Sequence, residues 1–372
     1  MSVVQELQAL GQSLWLDFIS RELLDSGELS SFIEKDEIRG VTSNPSIFEQ
    51  AIAKTNQYTD AISRGFYEGQ SAEEVLDALI LKDIQDAADL FLPLYQRTNG
   101  DDGFVSIEVN PDLAHDAKGT LKEARRLWNA VNRPNTLIKI PATENGISAI
   151  QCAIAEGINV NVTLIFSLVR YAEVMEAYIS GLEQRMNKGE SVSHVASVAS
   201  FFISRVDSAV DEALLKIQNR EDGGDVSELL GKAAIANAKL AYNEFEKVFK
   251  SSRFDKLIKE GARYQRPLWA STSTKNPNYP DTYYVDNLIG PHTVNTLPPS
   301  TFTAFKDHGS VDRTIDKDLD EAKEDLQRIE AVGISLEEVT AQLERDGVDK
   351  FAQSFRNLFR TVQMQGLSLH QD

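Results

Sequence analysis

The sequence predicts an α/β fold, a single (β/α)8 barrel of the TIM-barrel type with extra helices at its C-terminal end. Short runs of β-forming residues alternate along the chain with helix-like stretches, which is typical of a parallel sheet with crossover helices. There are eight such runs, the number that closes a barrel. An open doubly wound sheet is the structural alternative, but no GxGxxG turn follows the first run.

The predicted strands are short apolar runs, several of which alternate with polar residues. We place them at residues 13–18, 38–43, 104–109, 136–142, 158–166, 194–202, 266–271 and 293–297.

Helix-like stretches fill the intervals between these strands. The clearest start signal is Ser71-Ala-Glu-Glu74, which has the spacing of a capping box and precedes a periodic apolar run. Ser167 is a predicted N-cap directly after the fifth strand. Helices are predicted at residues 71–92, 115–131, 167–187, 205–216 and 231–250.

Residues 1–300 are predicted to form the catalytic barrel, and residues 301–372 a helical extension that packs on it within the same domain. The boundary falls at Leu297-Pro-Pro-Ser300, where two prolines favour a helix start and Ser300 is a predicted N-cap. Further helices are predicted at residues 316–332, 336–344 and 348–363.

The last predicted helix carries an apolar stripe at helical spacing. It consists of Phe351, Phe355, Leu358, Phe359 and Val362. We interpret the stripe as a packing face against the barrel, with a lid or a dimer contact as the alternatives.

The charge of the chain excludes some classes of partner. The net charge is −19 and the isoelectric point is near 4.8, which argues against nucleic acid and against an anionic membrane surface. Any anionic substrate therefore requires a locally positive pocket. The mean hydropathy of −0.29 is ordinary for a globular protein.

Neither a metal nor an oxidising compartment is indicated. Cys152 is the single cysteine, so no intrachain disulfide forms, and the five histidines lack the spacing of metal ligands. The N-terminus lacks the features of a signal peptide, and no apolar run reaches the ~20 residues that span a bilayer. The sequence predicts a reduced, cytoplasmic protein without a metal.

Four predicted strands place polar residues where a barrel interior is normally apolar. Side chains of a barrel strand alternate between the interior and the helix layer, and both environments favour apolar residues. In each of these strands the apolar set suits the helix layer, so the polar set points inward. The residues predicted to converge are Asp17, Glu108, Lys139, Asn161 and Thr163.

Lys139 lies in the middle of the apolar run Thr136-Leu-Ile-Lys-Ile-Pro-Ala142 and has two interpretations. It could extend to water from the end of a strand. Alternatively, it is a buried nucleophile that forms a Schiff base with a carbonyl substrate. The other inward polar residues favour the second interpretation, because each would need a partner if its role were structural only.

A lysine beside two carboxylates and amides suits carbonyl chemistry. Neutral Lys139 would attack a ketone to give a carbinolamine and then an iminium, which accepts electrons when the neighbouring C–C bond breaks. Asp17 and Glu108 are the candidates for proton transfer. Asn44 and Asn161 are candidates for hydrogen bonding to substrate hydroxyls, which favours a polyol substrate.

Two cations near strand ends are candidates for binding phosphate. Arg205 follows the sixth strand, and Lys275 ends the hydroxyl-rich turn Ser271-Thr-Ser-Thr-Lys275 after the seventh. Alternatively, Arg205 pairs with a helix acid such as Asp207 or Glu212, and Lys275 is a solvated loop residue. Beside the lysine and carboxylates, phosphosugar binding is the better interpretation.

Two motifs resemble the signatures of the transaldolase family. Gly40-Val-Thr-Ser-Asn-Pro-Ser46 is similar to the first, G-x-T-[ST]-N-P-[ST]. The stretch from Leu137 to Ile147, continued by Glu156-Gly-Ile-Asn-Val-Asn161, is similar to the second, which contains the Schiff-base lysine. The resemblance covers essentially the whole chain and points to the longer bacterial branch.

The resemblance implies a role for each matching residue. Lys139 would be the Schiff-base nucleophile, and Asp17 the acid/base that takes the C4 hydroxyl proton. Glu108 and Thr163 would hold the water that assists carbinolamine formation and dehydration. The substrate-binding residues would be Asn44 and Asn161 for the dihydroxyacetone hydroxyls, and Ser200, Phe202 and Arg205, which match S-x-F-x-x-R, with Arg205 and Ser200 near the phosphate. A second phosphate-binding arginine of a better-known branch has no match, and Lys275 is predicted to replace it.

The implied reaction transfers a dihydroxyacetone unit from sedoheptulose 7-phosphate to glyceraldehyde 3-phosphate, in the non-oxidative pentose phosphate pathway. The products are erythrose 4-phosphate and fructose 6-phosphate, and no metal or organic cofactor is needed. The alternatives are a fructose 6-phosphate aldolase, which releases free dihydroxyacetone, and an inactive barrel that binds sugar phosphates. The resemblance implies sugar phosphates as partners, and the protein is expected to be a monomer or a homodimer.

Overall fold

The computed structural model describes residues 2–220 and 224–369, and in them eight parallel strands close into a barrel. Neighbouring strands are consecutive in sequence, and β1 pairs with β8 to close the ring. The predicted fold class is confirmed. The strands are β1 (Gln12–Leu16), β2 (Gly40–Val41), β3 (Phe104–Glu108), β4 (Thr136–Pro141), β5 (Val160–Ile165), β6 (Ser197–Phe202), β7 (Arg266–Ala270) and β8 (Thr293–Leu297).

Sixteen α-helices surround or extend the barrel in the described residues. Short 3-10 helices occupy Pro111–Leu113 and Ser227–Leu229. The α-helices are α1 (Val3–Ala9), α2 (Arg21–Asp25), α3 (Glu28–Glu34), α4 (Pro45–Ala53), α5 (Thr59–Tyr67), α6 (Ala72–Arg97), α7 (Ala117–Val131), α8 (Glu144–Ala155), α9 (Leu168–Asn187), α10 (Ser204–Gln218), α11 (Ala233–Phe249), α12 (Ser252–Lys259), α13 (Tyr283–Asp286), α14 (Pro299–His308), α15 (Leu319–Ala331) and α16 (Leu336–Leu369).

Every predicted strand is present within a few residues, but β2 is shorter than expected. Only Gly40 and Val41 pair with β3, because the chain then turns at once into α4. Asn44 is the N-cap of that helix, and its side chain accepts a hydrogen bond from the Ile47 backbone N–H at 3.0 Å. The early turn places Asn44 at the carboxyl mouth of the barrel.

The predicted caps at Ser71 and Ser167 are confirmed, whereas three helix boundaries are wrong. Ser71 forms a capping box with Glu74, and the Ser167 side chain accepts from the Arg170 backbone N–H. Helix α6 continues past the predicted end with Pro93 inside it, and buried Leu94 anchors this last part to the core. Helix α14 has Pro298 as its N-cap rather than Ser300, because Pro299 fits the first helical position, where no N–H is needed.

The third wrong boundary is at Gly347, because the two helices predicted at 336–344 and 348–363 form one helix of 34 residues. A β-carbon added at Gly347 would lie 2.9 Å from the Leu164 side chain and 3.7 Å from the Arg205 guanidinium. The glycine therefore allows α16 to approach the end of β5 closely, rather than ending the helix.

The apolar stripe on α16 packs on the rest of the protein as predicted. Phe351, Leu358 and Val362 are buried, and Phe355 and Phe359 are partly buried against the same core. Within the described residues, no helix is both long and apolar enough to cross a membrane.

Candidate active site

A cavity of about 440 Å³ opens at the carboxyl mouth of the barrel, between the strand ends and α16. Predicted site residues that line it are Asp17, Asn44, Lys139, Thr163, Ser200, Phe202, Arg205 and Lys275. Glu108 and Asn161 lie outside this lining, but Glu108 faces Lys139 and Asn161 is bonded to Ser200. The structure therefore brings all of these residues into one connected group.

Lys139 is only 4% exposed, and its amine lies inside the barrel mouth. Its Nζ donates a hydrogen bond to the Ser43 carbonyl at 3.1 Å and lies 3.7 Å from Glu108 Oε2. The Phe351 ring of α16 covers it, with 5.8 Å between Nζ and the ring centroid. The interpretation that Lys139 extends to water is wrong, because its side chain is buried inside the barrel mouth beneath Phe351.

Glu108 stands next to Lys139 in the register of β3 and β4. Burial raises the pKa of Glu108 to about 7, although the positive charge of Lys139 opposes the rise. Its Oε2 has no hydrogen-bond partner within the described protein, and the same holds for the hydroxyl of buried Thr163. Two buried oxygens without partners near an amine suit a bound water or a substrate oxygen.

Thr163 precedes an irregularity at the end of β5. Leu164 has a φ of 60°, a left-handed conformation that is strained for a branched side chain. The register with β6 shifts between Val162 and Ile165. Such a bulge redirects the side chains around it, and strained backbone is often found at functional sites.

Asp17 directly follows β1 on the opposite side of the mouth. Its carboxylate accepts a hydrogen bond from the Thr42 hydroxyl at 2.6 Å. Burial raises the pKa of Asp17, opposed by the charge of Lys139 and by the Thr42 hydrogen bond. Asp17 is thus a proton acceptor of increased basicity near the amine.

The two asparagines have different surroundings. The side-chain carbonyl of Asn44 is used in capping α4, so its amide N–H groups remain to face the cavity. The carboxamide of Asn161 accepts from Ser200 at 2.7 Å and donates to Ser106 at 3.0 Å, which leaves one N–H group.

The alternative pairing of Arg205 with a helix acid is wrong. Arg205 has no carboxylate within ion-pair distance in the described chain, and its guanidinium lies 5.3 Å from the Phe202 ring centroid. Asp207 instead accepts from the Ala234 backbone N–H and the Tyr284 hydroxyl, and Glu212 pairs with Lys216. The unpaired guanidinium faces the cavity, and burial lowers its pKa.

Lys275 is exposed to the cavity from the loop after β7, and its Nζ donates to the Ser273 hydroxyl at 2.5 Å. Two buried carboxylates of α10 support this loop. Asp207 accepts from Tyr284 at 2.9 Å, and Asp211 accepts from Tyr279 at 2.7 Å. These two hydrogen bonds attach the loop and the following α13 to α10, the helix that contains Arg205.

Sequence reasoning missed the contribution of α16 to the cavity. Lys350, Phe351 and Ser354 line it together with the strand-end residues. The stripe containing Phe351 was a signal that one face of this helix is buried. No local pattern shows which part of the barrel that face meets.

A larger cavity of about 590 Å³ lies at the amino end of the strands. Its cations are matched by carboxylates, with Arg266 at 2.9 Å and Arg39 at 3.5 Å from Asp102, and Arg263 at 2.9 Å from Asp101. We interpret this as a structural ion-pair network, in keeping with the stabilising role of the amino face in such barrels. The described residues also contain no group of three or more side chains placed to hold a metal ion.

The chain is similar to curated bacterial proteins along nearly all of its length. A sequence profile described as Transaldolase/Fructose-6-phosphate aldolase matches residues 14–362. A protein named Transaldolase from Trichodesmium erythraeum is 47% identical over 364 residues, covering 96% of each chain. Another of that name, from Thermobifida fusca, is 48% identical over 365 residues and 98% of each chain. Transaldolase 2 of a Nostoc species is 44% identical over 365 residues.

Proposed function

The chain belongs to the transaldolase/fructose-6-phosphate aldolase family, and we propose that it is a transaldolase. It transfers a dihydroxyacetone unit from sedoheptulose 7-phosphate to glyceraldehyde 3-phosphate, giving erythrose 4-phosphate and fructose 6-phosphate. The single observation that carries this proposal is the buried amine of Lys139, 3.7 Å from Glu108 and close enough to Asp17 for its charge to oppose the rise that burial causes in the pKa of that carboxyl. We place the reaction in the cytoplasm, with the helices after residue 300 acting as part of the barrel domain.

The reaction begins at Lys139. Its ammonium loses a proton towards Glu108, through a water held by Glu108 and Thr163, and the neutral amine adds to the ketone carbon. The resulting carbinolamine loses its hydroxyl as water when the proton returns from Glu108, which leaves the iminium. Glu108 suits both steps, because a pKa of about 7 allows it to accept and return a proton near neutral pH.

The C–C bond then breaks under the control of Asp17. Asp17 takes the C4 hydroxyl proton, the C3–C4 electron pair moves to the iminium, and an aldose leaves while an enamine stays on Lys139. A second aldose enters, and the same steps run in reverse. The mechanism is therefore ping-pong, and all proton and electron transfers balance within the protein and its substrates.

Other residues of the cavity orient the substrate. The free amide groups of Asn44 and Asn161 bind the dihydroxyacetone hydroxyls, and Arg205 binds the phosphate beside Phe202. Ser200 also donates to the phosphate when its hydroxyl turns away from Asn161. Lys275 supplies a second cation in place of the arginine of the better-known branch.

Withholding the acceptor tests transfer against the aldolase alternative. With fructose 6-phosphate alone, we expect one equivalent of glyceraldehyde 3-phosphate per active site and then no further release. The enamine stays bound to Lys139 until an acceptor aldose reacts with it. Adding erythrose 4-phosphate should restart turnover and give sedoheptulose 7-phosphate. Sustained release of free dihydroxyacetone without acceptor would instead identify a fructose 6-phosphate aldolase. Release of neither glyceraldehyde 3-phosphate nor dihydroxyacetone would identify an inactive sugar-phosphate-binding barrel.

Glu108 should impose a pH dependence on Schiff-base formation. Below pH 7 its carboxyl is mostly protonated and cannot accept the proton of Lys139, so the rate of adduct formation should rise as pH increases through about 7. In Glu108→Gln this rise should disappear, and the rate at neutral pH should be about 100-fold lower. Rapid quenching into borohydride measures the rate. Glu68→Gln, at an exposed position, is the matched control, and a Glu108→Gln profile that keeps the rise would show that another group titrates.

A further inference from the structure

Helix α16 forms one wall of the substrate cavity. Its Ser354 hydroxyl is 2.8 Å from the Ser46 hydroxyl, and its Asn357 amide donates to Glu49 at 3.1 Å, so the helix is bonded to α4. On the other side, Gly347 brings its backbone close to Leu164 and Arg205. Residues between these anchors are therefore held over the barrel mouth.

Lys350 is the cation that lies between those anchors. It lines the cavity together with Arg205 and Lys275, although the three come from distant parts of the chain. In the described structure none of the three has a carboxylate within ion-pair distance. The neighbouring charges of Arg205 and Lys350 also contribute to a lowered pKa of Lys275, after burial.

Three unpaired cations around one cavity repel each other when no anion is present. Asp17 and Glu49 also line the cavity, but neither lies within ion-pair distance of these cations. In a chain of net charge −19, three cations without an ion pair have to be explained. A phosphate monoester carries close to two negative charges and three acceptor oxygens, which suits donors that approach from several directions. The three cations thus resemble a phosphate-binding site more than a structural ion-pair network.

We propose that Lys350 is a substrate-positioning residue that completes the phosphate site from the side of α16, together with Arg205 and Lys275. This inference rests on the proposed function, since it assigns Lys350 to the phosphate of the same sugar-phosphate substrates. Lys350 does not touch the reacting carbons. It therefore determines how strongly phosphorylated sugars are preferred over neutral ones and leaves the chemistry at Lys139 unchanged.

The test compares Lys350→Ala with Arg360→Ala, a change at an exposed cation on the same helix. In Lys350→Ala we expect the KM for fructose 6-phosphate to rise about fivefold to tenfold with little change in kcat, as for the loss of one charged hydrogen bond. The inhibition constant of inorganic phosphate should rise by a similar factor. With unphosphorylated glyceraldehyde as the acceptor, the acceptor kcat/KM should stay unchanged, and Lys350→Arg should recover most of the loss. Arg360→Ala should match the wild-type protein in every measurement.

Equal KM and phosphate inhibition constants in Lys350→Ala and the wild type would overturn the proposal. An equal loss of acceptor kcat/KM with glyceraldehyde and with glyceraldehyde 3-phosphate would also overturn it, because that result indicates a structural defect. Borohydride trapping of fructose 6-phosphate on Lys139 separates this outcome from failure of the proposed function. An adduct with unchanged KM rejects only the role of Lys350, whereas no adduct in the wild type rejects the function itself.

Discussion

Replacing Lys139 with methionine should abolish transfer, reducing turnover by four orders of magnitude or more, on the order expected when a covalent nucleophile is lost. Methionine keeps most of the side-chain volume under Phe351 but has no amine. In the wild-type protein, borohydride with fructose 6-phosphate should reduce the iminium to a stable secondary amine on the peptide that contains Lys139. In Lys139→Met this adduct should be absent.

Lys239 provides a matched control for this experiment. It is also largely buried, its Nζ donates to the Lys317 carbonyl at 2.9 Å, and burial lowers its pKa. Lys239 thus resembles Lys139 in being a buried amine bonded to a backbone carbonyl, but it lies outside the cavity lining. Lys239→Met should retain the adduct on Lys139 and the transfer activity. Modification of Lys239, or an adduct that survives in Lys139→Met, would show that burial alone selects the lysine.

Asp17→Asn should block C–C cleavage, the step that follows the Schiff-base formation blocked in Lys139→Met. The adduct should still form, because Lys139 and Glu108 are intact, but C–C cleavage should be slower by about 100-fold to 10,000-fold without the base. The mass of the trapped adduct reports the step. The wild-type protein, without acceptor, should yield a three-carbon adduct, whereas Asp17→Asn should yield the six-carbon phosphorylated adduct.

Asp102→Asn is the control for a buried carboxylate outside the site. Asp102 bonds Ser13 and pairs with Arg266 at the amino end of the barrel. Its replacement should lower thermal stability, because Arg266 loses its carboxylate partner and Arg39 retains only Asp36, while the trapped adduct keeps three carbons. A three-carbon adduct from Asp17→Asn at the wild-type rate would exclude Asp17 as the base for cleavage.

Much of the barrel and its inner residues could be predicted because both follow from a period of two along each strand. The alternation around Lys139, Glu108 and Thr163 assigns each side chain to the interior or to the helix layer without knowledge of distant contacts. The register of β3, β4 and β5 then placed Glu108, Lys139 and Asn161 side by side.

The helix boundaries at Gly347 and Ser300 could not be predicted by the same means. Glycine in a helical pattern indicates either an end or a close contact, and only the position of Leu164 and Arg205 shows that Gly347 is a contact. At Ser300 two helix-start signals compete, and the prolines determined where α14 begins.

The sequence by itself determined the barrel, the inward set of polar residues and the family, because these depend on local periodicity and on short motifs. Only the tertiary structure decided that Arg205 has no acidic partner, that Glu108 is 3.7 Å from Lys139, and that α16 brings Phe351 and Lys350 over the mouth. The physical reason is that pairing, burial and pKa depend on side chains that meet from distant parts of the chain. No local pattern specifies those distances.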